Sequence, residues 1–294
     1  MGLKIIPKTI NMSGEERQLE EMIEQAIAAE KGSVLLFPEY GAYTVEGSQK
    51  AYKKLADLAV TQDVSIITSL NLGDKDLPYS NLEDNYNLVF IFSRFGEIYA
   101  PQAKIAPQSF EMGHLSEKAP VINVKAYDYL NKIILDQNGQ KYSGFILNCS
   151  DISVMWQFDY RTLKSDAVLC LGDFANGAQD VAAGVIDYAV KSGLFKQGFF
   201  SNIGSKVREG KVPFTIGREI YFDYGCKKIM PYRQKEMRKL IDKSSAIYPD
   251  KDFKTFSDML KLTLNGTFTI PESRSPKNLE GKIKLGAYER IIYV

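Results

Sequence analysis

The chain has 294 residues, of which 45% are hydrophobic and 25% charged, and its 37 Lys and Arg residues nearly balance 36 Asp and Glu residues, giving a formal net charge of +1. This composition is typical of a globular protein with a packed core, and it excludes an overall electrostatic field for holding nucleic acid or an anionic membrane. No apolar run approaches the roughly 20 residues that span a bilayer, and the amino terminus has no apolar signal core, so we expect a cytoplasmic protein that binds neither nucleic acid nor a membrane.

The first predicted elements are a helix and a buried strand. Ser13 and Glu16 form a capping-box pattern, and apolar residues at helical spacing over 19–27 predict an amphipathic helix. The next apolar run, Val34–Glu39 with sequence VLLFPE, is typical of a buried strand. This strand would carry Glu39 at its carboxyl end.

The alternation of helices and strands continues through the rest of the predicted core. In chain order, the sequence predicts a helix over residues 48–61, strands over 64–70, 86–92 and 97–99, a hairpin with arms 132–136 and 142–147, a strand over 167–171, a helix over 179–192 and a strand over 199–202. Asn138 and Gly139 mark the hairpin turn, because both residues tolerate positive φ. This order favours an α/β layered domain over an all-α or all-β one.

The pattern weakens beyond about residue 205. Helices are predicted near 233–246 and 252–264, followed by a polar segment over 271–284. We expect residues 1–205 to form the core and residues 206–294 to be a divergent C-terminal part of the same domain, with a lid and an oligomer arm as the two roles left open.

Cysteine and histidine content limits the available chemistry. The three cysteines, Cys149, Cys170 and Cys226, are widely spaced and fit neither a disulfide framework nor a Cys-x-x-Cys zinc site. The single histidine, His114, excludes a His-rich metal site, and no Gly-x-Gly-x-x-Gly or Walker motif favours a nucleotide. We expect reduced thiols, no metal and no cofactor.

Three ionisable residues are predicted where strands end: Glu39, Lys104 and Cys149. A rigid strand aims such a group while the loop beyond leaves room for a substrate. Each residue alone has an ordinary explanation, since a Cys after an apolar strand is usually part of the core, a Glu after Pro commonly starts a loop and most Lys are solvated. Their order along the chain carries more information than any one of them.

In this order the three residues resemble the motifs of the carbon-nitrogen hydrolase (nitrilase) superfamily. An apolar strand ending in Pro-Glu matches Val34–Glu39, and a hairpin with a Gly before a Lys matches residues 86–104. Gly and apolar residues before Cys-x-Asp match residues 144–151, with sequence GFILNCSD. Arg161, the strand over 165–171 and Asn202 are similar to further family features downstream. The resemblance covers roughly residues 15–205.

The resemblance implies a four-layer α-β-β-α sandwich and a catalytic triad of Glu39, Lys104 and Cys149. It also suggests Glu111, which follows Lys104 by seven residues, as a second carboxylate that orients the lysine or assists proton transfer. The implied activity is hydrolysis of small-molecule amides or nitriles at non-peptide C–N bonds, with amidase favoured over nitrilase. The family further implies a homodimer or a larger homo-oligomer.

The chemistry of the three groups fits this reading. A free thiol with a pKa of about 8.5 is mostly protonated at neutral pH, so Cys149 needs a base or a cation to become a nucleophile. Glu39 can be the base, while Lys104 can favour the thiolate and stabilise negative charge on the attacked substrate, with the backbone N–H of Ser150 as a second donor. Loss of ammonia or an amine would leave a thioester for water to hydrolyse.

Three alternatives remain open from the sequence. His114 could activate Cys149 in a Cys-His dyad. A catalytically silent binding or scaffold protein is also open, because Ser150 stands where the family commonly has an aromatic residue and the sequence WQFD over 156–159 replaces its usual Phe-Pro-Glu. An amide or acyl transferase would differ only in the nucleophile that resolves the thioester.

Overall fold

Three helices and thirteen strands are formed by the residues that the computed structural model describes, namely 2–11, 15–39, 45–72, 86–104, 121–124, 130–149, 151–152, 164–174, 176–204, 219–223, 239, 268–271 and 287–294. In chain order these are β1 (Ile6–Pro7), α1 (Glu15–Ile27), β2 (Val34–Glu39), α2 (Val45–Thr61), β3 (Ser65–Leu72), β4 (Tyr86–Phe92), β5 (Ile98–Ala103), β6 (Val121–Val124), β7 (Lys132–Gln137), β8 (Gln140–Asn148), β9 (Ser165–Gly172), α3 (Asn176–Lys191), β10 (Phe195–Asn202), β11 (Glu219–Asp223), β12 (Phe268–Pro271) and β13 (Ala287–Tyr293).

The strands form two large sheets and one small one. The first sheet has the order β1-β2-β3-β4-β5, and the second has the order β11-β10-β9-β8-β7-β13. Strands β6 and β12 form a separate antiparallel pair. Strands β1, β2 and β3 are parallel, as are β8, β9 and β10, so the buried strands of each sheet end at a common edge. The chain is a mixed α/β protein.

Alternation along the strands divides the core into two apolar clusters. The inter-sheet cluster joins residues of both sheets: Val34, Leu36, Ile67, Val89, Ile91 and Tyr99 from the first, and Ile133, Leu135, Ile146, Leu169, Leu171 and Phe199 from the second. The outer cluster joins the intervening strand residues to the helices and includes Leu35, Phe37, Leu55, Phe90, Leu147, Cys149, Val168, Cys170, Val185 and Phe200. Helix α2 packs on β3 and helix α3 on β10.

The structure confirms the predicted α/β class and the main elements of the core. Helices α1 and α2 and strands β2 to β5 occupy the predicted segments, although α2 begins at Val45 and β5 continues to Ala103. The β7–β8 hairpin turns at Asn138 and Gly139, with φ of 55° and 81°. The Asn-Gly turn therefore adopts the positive φ angles on which its prediction was based.

The C-terminal part of the chain contributes strands to the second sheet. Strand β11 pairs antiparallel with β10, and β13 pairs parallel with β7 at the other edge. The helices predicted over 233–246 and 252–264 lie outside the described residues except for Lys239, as does most of the polar segment. The domain boundary and the lid or oligomer-arm role therefore stay predictions.

Two features are absent from the described part of the chain. None of its helices is long and apolar enough to cross a membrane. It also contains no group of three or more His, Cys, Asp or Glu side chains arranged to hold a metal ion.

Candidate active site

A register shift in β2 decides where Glu39 points. Strict alternation would place Glu39 on the helix-facing side with Phe37, because both are odd-numbered residues of the strand. Leu36 pairs with Ile67 in β3, but Glu39 pairs with Ser69, so β2 has one residue more than β3 between these two pairs. This bulge brings Glu39 to the face of the first sheet that carries Leu36 and Ile67, which belong to the inter-sheet cluster.

Pro38 lies within this bulge. Proline has no N–H to give to a strand ladder and is tolerated where the ladder is interrupted. The carbonyl of Pro38 accepts a hydrogen bond of 3.1 Å from the side-chain hydroxyl of Thr68 in β3. The Pro-Glu sequence at the end of β2 therefore has a local structural role, which is to turn the carboxylate toward the second sheet.

Lys104 reaches the same face from β5. Its backbone N–H donates to the carbonyl of Asn87 at 2.8 Å, which continues the β4–β5 pairing by one residue. Its Nζ donates to Glu39 Oε1 at 2.8 Å, and the two side chains are only 3% and 8% exposed. Two opposite charges are thus held together away from water, where the cost of desolvation offsets much of their mutual attraction.

Asparagine side chains connect this ion pair to the second sheet. Asn87 Nδ2 donates to Glu39 Oε1, and Asn148 Nδ2 donates to Asn87 Oδ1 at 2.8 Å. Asn148 is the last residue of β8 and pairs with Leu171 of β9, which is part of the inter-sheet cluster. A continuous set of polar contacts therefore runs from Lys104 to the carboxyl end of β8.

Cys149 follows directly after β8 with its backbone in the left-handed region, at a φ of 50°. A residue with a Cβ rarely adopts this conformation, and residues that do so cluster at functional sites. The backbone N–H of Asn148 donates to the fully buried Asp151 Oδ2 at 3.3 Å, which closes the turn around the cysteine. Cys149 is 3% exposed and lies one residue beyond Asn148.

The structure brings part of the predicted site together. Glu39 and Lys104 are in contact, and Asn87 and Asn148 link this pair to the end of β8, one residue before Cys149. Their catalytic roles stay predictions. The other predicted participants, Glu111, Ser150 and the rival base His114, lie outside the described residues, as do Arg161, residues 156–159 and Cys226.

Cys170 is the second described thiol and lies inside β9. Burial raises the pKa of Cys170 well above its usual value, and the negative charges of Asp151 and Glu39 raise it further. Cys170 is therefore held as a neutral thiol within the packed core.

Asn202 was singled out for its resemblance to a family feature, and its contacts are structural. Its Oδ1 accepts from the backbone N–H of Phe174 at 2.8 Å, and its Nδ2 donates to the Phe174 carbonyl at 3.0 Å and also to Gln179 Oε1. These bonds fasten the β9–α3 connection to the end of β10.

Sequence reasoning did not single out Asn87 or Asn148 as functional residues. Asn87 is the second residue of β4 and Asn148 the last of β8, and each is followed or preceded on the inter-sheet face by an apolar residue, Val89 or Ile146; this was the available signal. A buried carboxamide needs a partner, so a polar residue at such a position predicts a specific contact. The identity of the partner depends on how the two sheets face each other, which the sequence pattern does not specify.

No family model matches this chain, and no curated protein does. Solved structures do match. An amidase from Nesterenkonia sp. superposes with a TM-score of 0.52 at 15% sequence identity, covering 74% of this chain and 81% of that one. A cysteine-to-serine mutant of the Nesterenkonia AN1 amidase, described as belonging to the nitrilase superfamily, superposes with a TM-score of 0.51 at 14% identity, covering 80% and 95% of the two chains.

The chain has the nitrilase-superfamily fold. The similar structures include a glutamate-to-glutamine mutant of the same amidase, which carries the acetamide moiety of fluoroacetamide covalently on its active-site cysteine. That mutant has 15% identity to this chain, with a TM-score of 0.52 over 74% of this chain and 81% of that one. On this nitrilase fold, the carboxyl ends of β2 and β8 carry Glu39 and Cys149.

The site contains a carboxylate that can exchange a proton, an ammonium that can stabilise an anion and a thiol that can attack an electrophilic carbon. The carboxylate and the ammonium are buried, so their charges act in a medium that screens them less than water does. Such a set of groups is suited to acyl transfer through a covalent thioester.

Proposed function

We propose that this chain is a thiol hydrolase of the carbon-nitrogen hydrolase superfamily that cleaves non-peptide C–N bonds, with amides as its main substrates and nitriles as the less favoured ones. The observation that carries the proposal is the buried Glu39–Lys104 pair, joined through Asn87 and Asn148 to the strand end that carries Cys149. Similarity of fold to an amidase with a reactive cysteine supports it.

In the proposed first half-reaction, Glu39 removes the thiol proton of Cys149 as the sulfur attacks the amide carbon. The C=O π bond opens, and Lys104 and the backbone N–H of Ser150 stabilise the resulting oxyanion. When the intermediate collapses, the C–N bond breaks and Glu39 returns the proton to the leaving nitrogen. The products of this step are ammonia or an amine and a thioester on Cys149.

In the second half-reaction, Glu39 deprotonates a water molecule that attacks the thioester carbon. The C–S bond then breaks, the acid product leaves and the proton returns to the Cys149 sulfur. Glu111 would orient Lys104 or assist proton transfer. If an amine replaced water, the same intermediate would give a transferase.

The proposal extends to the setting of the site. The two apolar clusters support a four-layer α-β-β-α arrangement, with one cluster between the sheets and the other between sheets and helices. The reaction needs no metal or cofactor, since the three side chains supply the nucleophile, the base and the stabilising cation. We further propose a cytoplasmic homodimer or larger homo-oligomer that acts on a small-molecule amide or nitrile.

Iodoacetamide labelling, followed by peptide mass spectrometry, tests whether Cys149 is activated. We expect Cys149 to react at neutral pH faster than a free thiol, and Glu39→Gln or Lys104→Ala to slow the reaction about 10-fold or more, because Glu39 accepts the thiol proton and the Lys104 ammonium stabilises the thiolate. Cys170 in the same sample is the internal control and should label slowly, since it is fully buried.

Two results would contradict the proposal. Labelling of Cys149 no faster than that of a free thiol would favour a catalytically silent binding or scaffold protein with this fold. Loss of labelling in His114→Ala, with Glu39→Gln unaffected, would favour the Cys-His dyad.

A further inference from the structure

The hydrogen bonds of Glu39 fix the direction of the two asparagine side chains. Glu39 Oε1 accepts from both Lys104 Nζ and Asn87 Nδ2. An ionised carboxylate only accepts hydrogen bonds, so the NH₂ group of Asn87 must face it. The carbonyl of Asn87 then faces Asn148, and only the NH₂ group of Asn148 can satisfy it, as observed at 2.8 Å.

With both amides oriented in this way, Asn148 Oδ1 is the last acceptor in the series of hydrogen bonds that begins at Glu39. That oxygen is buried and has no hydrogen-bond donor among the described residues. A buried acceptor without a donor is unfavourable, and two apolar side chains of similar shape would avoid the cost. The pair is therefore poorly explained as a device for joining the two sheets, which already share a large apolar cluster.

We propose that Asn87 and Asn148 are positioning residues: the two amides form a relay that couples the cysteine-bearing end of β8 to the carboxylate of Glu39 and so holds the base in its working orientation. The inference rests on the proposed function, in which Glu39 is the base for Cys149. Neither asparagine is assigned a contact with the substrate.

A relay predicts coupled effects of substitution. Asn87→Ala removes a donor from Glu39 directly, while Asn148→Ala removes the bond that keeps the Asn87 amide turned toward Glu39. We expect each variant to slow labelling of Cys149 by iodoacetamide roughly 10-fold, the size expected for one hydrogen bond to a charged group. The double variant should be no slower than Asn87→Ala alone, because both changes break the same series of contacts.

The pH dependence of labelling separates positioning from a loss of stability. Removing a donor from the Glu39 carboxylate raises its pKa, so the lower limb of the rate profile should move to higher pH in both single variants. Lys104 contacts Glu39, and the thiol of Cys170 responds to the charges of both Glu39 and Asp151. These groups are unchanged in the two variants.

Gln197→Ala is the matched control. Gln197 is also a buried amide, and it bonds the backbone of Leu3 and the hydroxyl of Tyr221. Gln197 lies in β10 of the same sheet as Asn148. It pairs with Ala167 of β9, which in turn pairs with Gly144 of β8, four residues before Asn148. The control should lower the unfolding temperature without moving the labelling profile. The Asn148→Leu variant, which is similar in size, removes the donor without adding a charge, and it gives the same test if Asn148→Ala does not fold.

A ¹³C carboxyl titration of Glu39, assigned with Glu39→Gln, distinguishes failure of the relay from failure of the proposed function. If wild-type Cys149 labels no faster than a free thiol, the proposed function fails, yet the relay still predicts a raised Glu39 pKa in Asn87→Ala and Asn148→Ala. An unchanged Glu39 titration, or labelling effects that simply add in the double variant, would overturn the relay.

Discussion

At the scale of single residues, the central feature is a pair of opposite charges removed from water. The positions of Glu39, Lys104 and Cys149 at or just after strand ends could be predicted from the sequence, whereas their catalytic roles stay predictions. The contact of Asn148 could not be predicted, because its partner lies 61 positions away in the other sheet. The orientation of the Glu39 side chain toward that sheet could not be predicted either, because it depends on an extra residue in β2 relative to β3.

The burial of this pair predicts how substitutions affect stability. Lys104→Met leaves the Glu39 charge buried without its ammonium partner, and we expect it to lower the free energy of unfolding by about 3–5 kcal/mol. The double variant Glu39→Gln/Lys104→Met should recover a large part of this loss, because no uncompensated charge remains. Urea unfolding of the wild type, Lys104→Met and the double variant measures both effects.

Lys50→Met is the control for that experiment. Lys50 pairs with Glu16 at 2.9 Å, but the side chains are 51% and 82% exposed. Its unfolding midpoint should stay near that of the wild type, since water screens the pair. If Lys104→Met were as stable as this control, water would have to screen the charge of Glu39 as it screens that of Glu16. This result would contradict the claim that the Glu39–Lys104 pair is removed from water.

At the scale of elements, local signals predicted helices α1 to α3, the parallel strands β2, β3 and β8 to β10, and the Asn-Gly hairpin. Strand β13 was missed because its partner β7 lies about 150 residues earlier and no local pattern records that pairing. Its position is fixed partly by Tyr99 of β5, whose hydroxyl accepts from the backbone N–H of Tyr293 at 3.3 Å and donates to Glu97. The edge strands of the two sheets are thereby linked.

This link predicts a sensitivity to alkaline pH. Burial, followed by the hydrogen bond to Glu97, raises the pKa of Tyr99 to about 12. An unfolded tyrosine ionises near pH 10, so the folded state binds more protons between about pH 10 and 12, and stability falls as pH rises through that window. Tyr99→Phe should reduce this fall in a series of unfolding temperatures from pH 8 to 12, while Tyr293→Phe, which alters an exposed ring, should not. Equal slopes in all three proteins would contradict the assignment.

At the scale of the whole molecule, the two large sheets share one apolar cluster, and a hydrogen bond between Asn148 and Asn87 joins polar residues at their strand ends. The sequence order of helices and strands was sufficient to predict the α/β class, and the three motifs were sufficient to suggest the nitrilase fold. The contribution of residues 206–294 to both edges of the second sheet was not predicted, because strands β11 and β13 carry little periodic signal.

Trapping of the acyl-enzyme tests the central claim most directly. The full-length protein would be mixed with a short primary amide, quenched in acid and analysed by intact and peptide mass spectrometry, with Cys149→Ser as the control. We predict an adduct on Cys149 with the mass of the amide less ammonia, no adduct in Cys149→Ser, and slower adduct formation in Glu39→Gln. Hydrolysis of the amide by Cys149→Ser at the wild-type rate would contradict the account.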